Sequence, residues 1–100
     1  MLGAGGTIAP AIVSDLTASP EVASMALLDL DGARAAAVAD AHGAGKAAAH
    51  EVDATDVEAL AVALRGADVL VNAASYRINL EAMRASLEAG CNYIDLGGLY

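Results

Sequence analysis

Glycine fills three of the four positions from Gly3 to Gly6, and a helix-forming stretch begins directly behind them. A turn that leads into a helix in this way needs glycine for two reasons when it binds phosphate. The backbone bends tightly, and no side chain blocks the approach of a pyrophosphate. Gly3 and Gly5 occupy the first two places of G-x-G-x-x-G, and Gly6 adds room beside Ala4. The third place holds Ile8, a departure that predicts a helix standing further from its strand. At the start of that helix, Thr7 and Ile8 would present free N–H groups and the positive dipole end to the phosphates. A plain glycine-rich loop is the competing reading. A turn of this type follows a β-strand, yet only Met1 and Leu2 precede it. The sequence therefore predicts a Rossmann-like domain whose first strand is nearly missing. That strand ordinarily lies in the middle of the sheet, so a central gap and weak cofactor binding are expected.

The rest of the chain alternates short apolar runs with helical segments. Thr7 to about Thr17 reads as a helix with Ile8, Ile12 and Leu16 on its apolar face and Pro10 in its first turn. Ala23 to Leu30 reads as a second strand. Asp31 caps a helix from about Gly32 to Ala41. The break from His42 to Lys46 runs from helix towards strand, the wrong polarity for a phosphate turn. Ala47 to Val52 is a third strand. A helix capped by Thr55 or Asp56 runs to about Arg65, with Val57, Leu60, Ala61 and Leu64 inward. Val69 to Asn72 is a fourth strand. A helix from Ile78 to Ala89 is expected to face inward through Leu80, Met83 and Leu87, and Gly90 stops it. Tyr93 to Asp95 is a fifth strand. This order predicts an α/β fold, a doubly wound parallel sheet truncated at the first strand and after the fifth.

At 100 residues the chain is small for one domain and too short for two. It reads as one incomplete domain, with any substrate domain absent. The net charge of −8 with five basic residues argues against nucleic acid or an anionic membrane as partner. No run approaches the roughly 18 apolar residues that suggest a membrane span. Cys91 is the only cysteine, so no internal disulfide forms, and a reducing cytoplasm is the simplest setting. A homodimer is left open.

Asp29, at the end of the second strand, is placed to accept hydrogen bonds from adenosine ribose hydroxyls. It lies somewhat beyond the usual spacing of about 20 residues from the glycines. Its charge would repel the extra phosphate of NADP and so favours NAD, with Arg34 the only nearby cation to offset it. A solvated strand end is the alternative. Asp53 ends the third strand, where it would bind an adenine amino group or cap the next helix. Asn72, Ala73 and Ala74 end the fourth strand, where small residues let a cofactor pass and the Asn72 amide holds the loop; a tight loop without ligand is the alternative. All of these positions fall beyond the carboxyl ends of the strands, where ligands of such sheets bind.

These residues carry a resemblance. Gly3-Ala4-Gly5-Gly6, Leu28-Asp29 with Arg34, Asn72-Ala73-Ala74 and Tyr93-Ile94-Asp95-Leu96-Gly97-Gly98 resemble the N-terminal nucleotide-binding domain of the saccharopine dehydrogenase family. The similarity covers nearly the whole chain, and the last motif is the most specific. The resemblance implies an NAD- or NADP-dependent oxidoreductase acting on an amino-acid-derived C–N bond, with a second domain completing the active site. A non-catalytic nucleotide-binding or regulatory module competes with it, and a methyltransferase is a third reading that the fifth-strand motif disfavours. His42 and His50 are too isolated to suggest a metal site. Cys91 reads as a small buried residue. Tyr76, Arg77 and Asp95 are open between substrate contact and a loop or capping role. No residue is assigned to catalysis.

Overall fold

The computed structural model describes residues 1–74 and 78–95. Four helices and four strands alternate along them: α1 (Ala9–Ala18), β1 (Met25–Asp29), α2 (Gly32–His42), β2 (Ala47–Glu51), α3 (Val57–Ala63), β3 (Val69–Asn72), α4 (Asn79–Ala89) and β4 (Asn92–Asp95). These strands are the second to fifth of the sequence reading. Polar residues start two of the helices as expected. Asp31 accepts from the Arg34 N–H and Asp56 from the Ala59 N–H, each satisfying an otherwise unpaired donor of a first turn.

β1 pairs with β2, and β3 with β4, both in parallel register. The N-terminal residues join the two pairs. Leu2 bridges Leu28 on one side and Asn72 on the other, both parallel. Its N–H donates to the Val71 carbonyl at 2.9 Å, and the Leu2 carbonyl accepts from the Ala73 N–H at 2.9 Å. On the other side the Leu28 N–H reaches the Met1 carbonyl at 2.8 Å, and the Gly3 N–H the Leu28 carbonyl at 2.8 Å. The expected central gap is therefore bridged. Successive groups of a strand point to opposite neighbours, so three residues suffice to bond both sides.

The resulting sheet divides two cores. Leu2 and Leu28 pack with Leu60, Leu64, Leu70, Ala82 and Ala85 under α3 and α4. Met1 and Leu27 pack with Ala4, Ala9, Val13 and Ala35 under α1 and α2. β1 is buried on both faces through adjacent leucines, as a central parallel strand must be.

Two expected helix faces differ from the observed ones. In α1 the buried residues are Ala9 and Val13, with the expected Ile12 partly buried against the same core, while Ile8 is 51% exposed. Ile8 is the N-cap and turns outward. The fully buried Ala9 belongs to the same core as Ala4. In α4 the buried residues are Ala82, Ala85 and Ser86, while Leu80 and Leu87 are 77% and 83% exposed and Met83 is exposed as well. Small side chains let α4 approach α3 and the sheet. The Ser86 hydroxyl is satisfied by the Ala82 carbonyl one turn back, at 2.9 Å. The break before β2 has a structural use that the sequence did not reveal. The Lys46 ammonium donates to the carbonyls of Thr17, Ser19 and Val22 at 2.9–3.2 Å, tying down the end of α1 and the loop after it.

Candidate dinucleotide site

The glycine turn owes its shape to the loop across from it. Gly3 has φ +80°, and a Cβ there would lie 2.6 Å from the Ala74 nitrogen and 2.8 Å from the Ala73 carbonyl carbon. No side chain fits. At Gly5 a Cβ would press on Arg34 and on the Asp29 carboxylate at 3.0 and 3.1 Å. Asp29 itself is held by two backbone donors, the Gly5 N–H to Oδ2 and the Asp31 N–H to Oδ1, both at 2.8 Å. The strand-end carboxylate thus sits directly on the glycine turn. Within the turn the Gly6 N–H closes on the Gly3 carbonyl, and the Ala4 N–H on that of Leu28. The Thr7 and Ile8 N–H groups make no hydrogen bond among the described residues. Pro10 supplies no donor, so the start of α1 presents these two N–H groups beside the exposed Thr7 hydroxyl.

A cavity of about 230 Å³ opens beside this turn. Its walls include Gly3, Asp29, Val52, Asp53, Ala74 and Ile78. Four residues singled out from the sequence therefore converge from four separate segments. A second cavity, of about 380 Å³, lies between the starts of α1 and α2, against Gly5, Gly6, Thr7, Pro10 and Arg34. Ala4 is fully buried, so its side chain shapes the turn from beneath. Ala73 touches the site through its backbone at Gly3.

Asp53 does not cap α3; that role belongs to Asp56. Its Oδ1 instead accepts from the Thr55 hydroxyl at 2.7 Å and the Thr55 N–H at 2.9 Å. These bonds favour the ionised form and hold its carboxyl below the usual carboxylate range.

Asn72 is 1% exposed and lines neither cavity. Its Oδ1 accepts from the Ala74 N–H at 3.0 Å, and its Nδ2 donates to Asn79 Oδ1 at 2.9 Å and to the Tyr93 hydroxyl at 3.0 Å. The sequence reading foresaw that Asn72 holds its loop. It missed Asn79 and gave Tyr93 no role beyond the fifth-strand motif, although period-2 alternation on β4 puts Tyr93 and Asp95 on one face. Tyr76, Arg77, Leu96, Gly97 and Gly98 lie outside the described residues. Cys91 is half-buried against the core beneath α3 and α4. His42 Nδ1 pairs with the Ser14 hydroxyl at 3.1 Å, and His50 is exposed. Among the described residues no three His, Cys, Asp or Glu side chains gather as metal ligands, and no helix is long and apolar enough to cross a membrane.

The sequence matches the family described as saccharopine dehydrogenase NADP binding domain over residues 1–99. The chain belongs to this family. The resemblance carried by the glycine turn and the strand ends is thereby confirmed, and the cofactor class is nicotinamide dinucleotide, NAD or NADP. Among solved structures, saccharopine dehydrogenase (L-Glu forming) from Saccharomyces cerevisiae is similar with a TM-score of 0.84 at 21% identity, covering 99% of this chain and 21% of that one. The shared fold is that of the family's Rossmann-like domain, with this chain spanning about a fifth of the yeast protein's length.

Proposed function

We propose that this domain holds a nicotinamide dinucleotide across the carboxyl edge of its sheet, as part of an oxidoreductase that acts on amino-acid-derived C–N bonds and whose substrate is bound by a further domain. The observation that supports this reading is the bond from the Gly5 N–H to Asp29 Oδ2, which fixes a carboxylate against the glycine turn. The Thr7 and Ile8 N–H groups hold the pyrophosphate. Asp29 takes the adenosine ribose hydroxyls, and Asp53, with Oδ2 outside its Thr55 turn, faces the adenine. The remaining half of the cofactor passes over Ala73 and Ala74. The nicotinamide supplies the hydride chemistry, and the protein supplies position and electrostatics. Asp29 favours NAD, since its charge opposes a ribose phosphate, with the exposed Arg34 the nearby cation that offsets it. The free thiol of Cys91 suits a reducing, cytoplasmic setting.

Calorimetric titration of the chain with NAD, NADP and S-adenosylmethionine tests the reading. Binding of NAD is the expected result. Asp29→Ala should weaken it about tenfold to a hundredfold, the value of hydrogen bonds to a charged acceptor, and Asp29→Ser should admit NADP. Binding of S-adenosylmethionine alone would overturn the proposal. Dinucleotide binding without turnover by the full-length protein would instead identify a regulatory module.

A further inference from the structure

The cluster around Asn72 lies on the other side of the sheet's centre from Asp29 and Asp53. Strand order reverses between β1 and β3, with residues 1–3 between them. A dinucleotide laid across such a reversal has its adenosine half over β1 and β2 and its other half over β3 and β4. The register pairs Leu70 with Tyr93 and Asn72 with Asp95, so all four side chains share the α3–α4 face. At the carboxyl end of this face the Tyr93 hydroxyl accepts from Asn72 Nδ2 at 3.0 Å. Its own hydrogen is shared between Asp95 Oδ2 at 3.1 Å and Asn79 Oδ1 at 3.3 Å.

These bonds form a path with a defined end. Tyr93 and Asn79 fix the Asn72 amide, and Asn72 Oδ1 fixes the Ala74 N–H. The Ala74 nitrogen is the atom that a Cβ at Gly3 would meet first. We propose that Tyr93 is a positioning residue for the nicotinamide half of the cofactor, acting through Asn72 on the Ala73–Ala74 backbone. The proposal rests on the dinucleotide reading above. Loss of the hydroxyl leaves the buried Asn72 amide with a free donor and allows the loop over β3 to shift. The adenosine half, held by Asp29 and Asp53 on β1 and the loop after β2, keeps its contacts.

The test compares two ligands on the same chain by calorimetry: the dinucleotide that the wild type binds, and its adenosine half (AMP for NAD, 2′,5′-ADP for NADP). Tyr93→Phe should bind the dinucleotide about tenfold more weakly, on the scale of one lost buried hydrogen bond, and the adenosine half within about twofold of wild type. Leu64→Ala serves as control. It weakens the core on the same face while keeping every hydrogen bond of the cluster, and should leave the ratio of the two affinities unchanged. If Tyr93→Phe does not fold, Asn79→Ala should give the same selective loss. Equal weakening of both ligands, or no weakening of either, overturns the positioning role while the dinucleotide reading stands. A wild-type chain that binds neither ligand overturns both.

Discussion

Two glycines with nearly the same backbone angle separate conformation from packing. Gly3 has φ +80° and Gly45 φ +81°. A Cβ at Gly45 meets nothing within 4 Å, whereas at Gly3 it would enter the Ala73–Ala74 backbone. Gly45→Ala should therefore cost about 1 kcal/mol, the strain of a left-handed residue alone. Gly3→Ala should cost about 3 kcal/mol or more, because backbone cannot swing aside as a side chain can. Urea denaturation of the two variants measures the difference, and near-equal losses would mean that the contact with Ala74 is not tight. The site residues were legible in the sequence where the chemistry is carried by a residue type at a strand end, as for Asp29 and Asp53. Asn79 and Tyr93 were not, because their roles come from neighbours brought together only by the register of β3 and β4.

For the secondary elements, the sequence located every helix and strand among the described residues to within a few positions, because glycine, proline and capping aspartates punctuate the chain. Faces were harder. In α3 Leu60 and Ala61 are buried, as is Leu64 at its C-cap, and periodicity pointed to all three correctly. In α4 the same rule chose Leu80, Met83 and Leu87, and the helix buries Ala82, Ala85 and Ser86 instead. Both sets recur at helical spacing. Hydrophobicity ranks leucine above alanine, but close packing against α3 and the sheet selects for small volume. Leu87→Glu should accordingly change stability by no more than about 0.5 kcal/mol. Ala85→Leu, which adds volume to a filled contact, should cost about 1–3 kcal/mol. Thermal unfolding of both distinguishes the two registers, and the reverse order of effects would restore the leucine face.

Across the whole molecule, stability depends on residues 1–3, which join the two strand pairs. Met1 and Leu2 contribute to different cores, and the Met1 amine donates to the Ala26 carbonyl at 2.6 Å. Burial lowers the pKa of that amine from 8.0 to about 6. Between these values the unfolded chain binds a proton that the folded chain does not, so stability rises with pH from about 6 to about 8. Below about pH 6 the penalty is fully present; above 8 it is gone. The slope should approach 1.4 kcal/mol per pH unit at most, and acetylation of the amine should abolish it. A pH-independent midpoint of denaturation over this range would show that the amine reaches water. The sequence by itself determined the alternating α/β order, the helix caps, the glycine turn and the acid at the end of β1, since each follows from local backbone preference or from the chemistry of one residue type. Only the tertiary structure decided which helix faces are buried, that residues 1–3 close the sheet, and that Tyr93 and Asn79 support the loop against Gly3. Those outcomes depend on volume and hydrogen-bond partners supplied by segments distant in the chain, which no local pattern encodes.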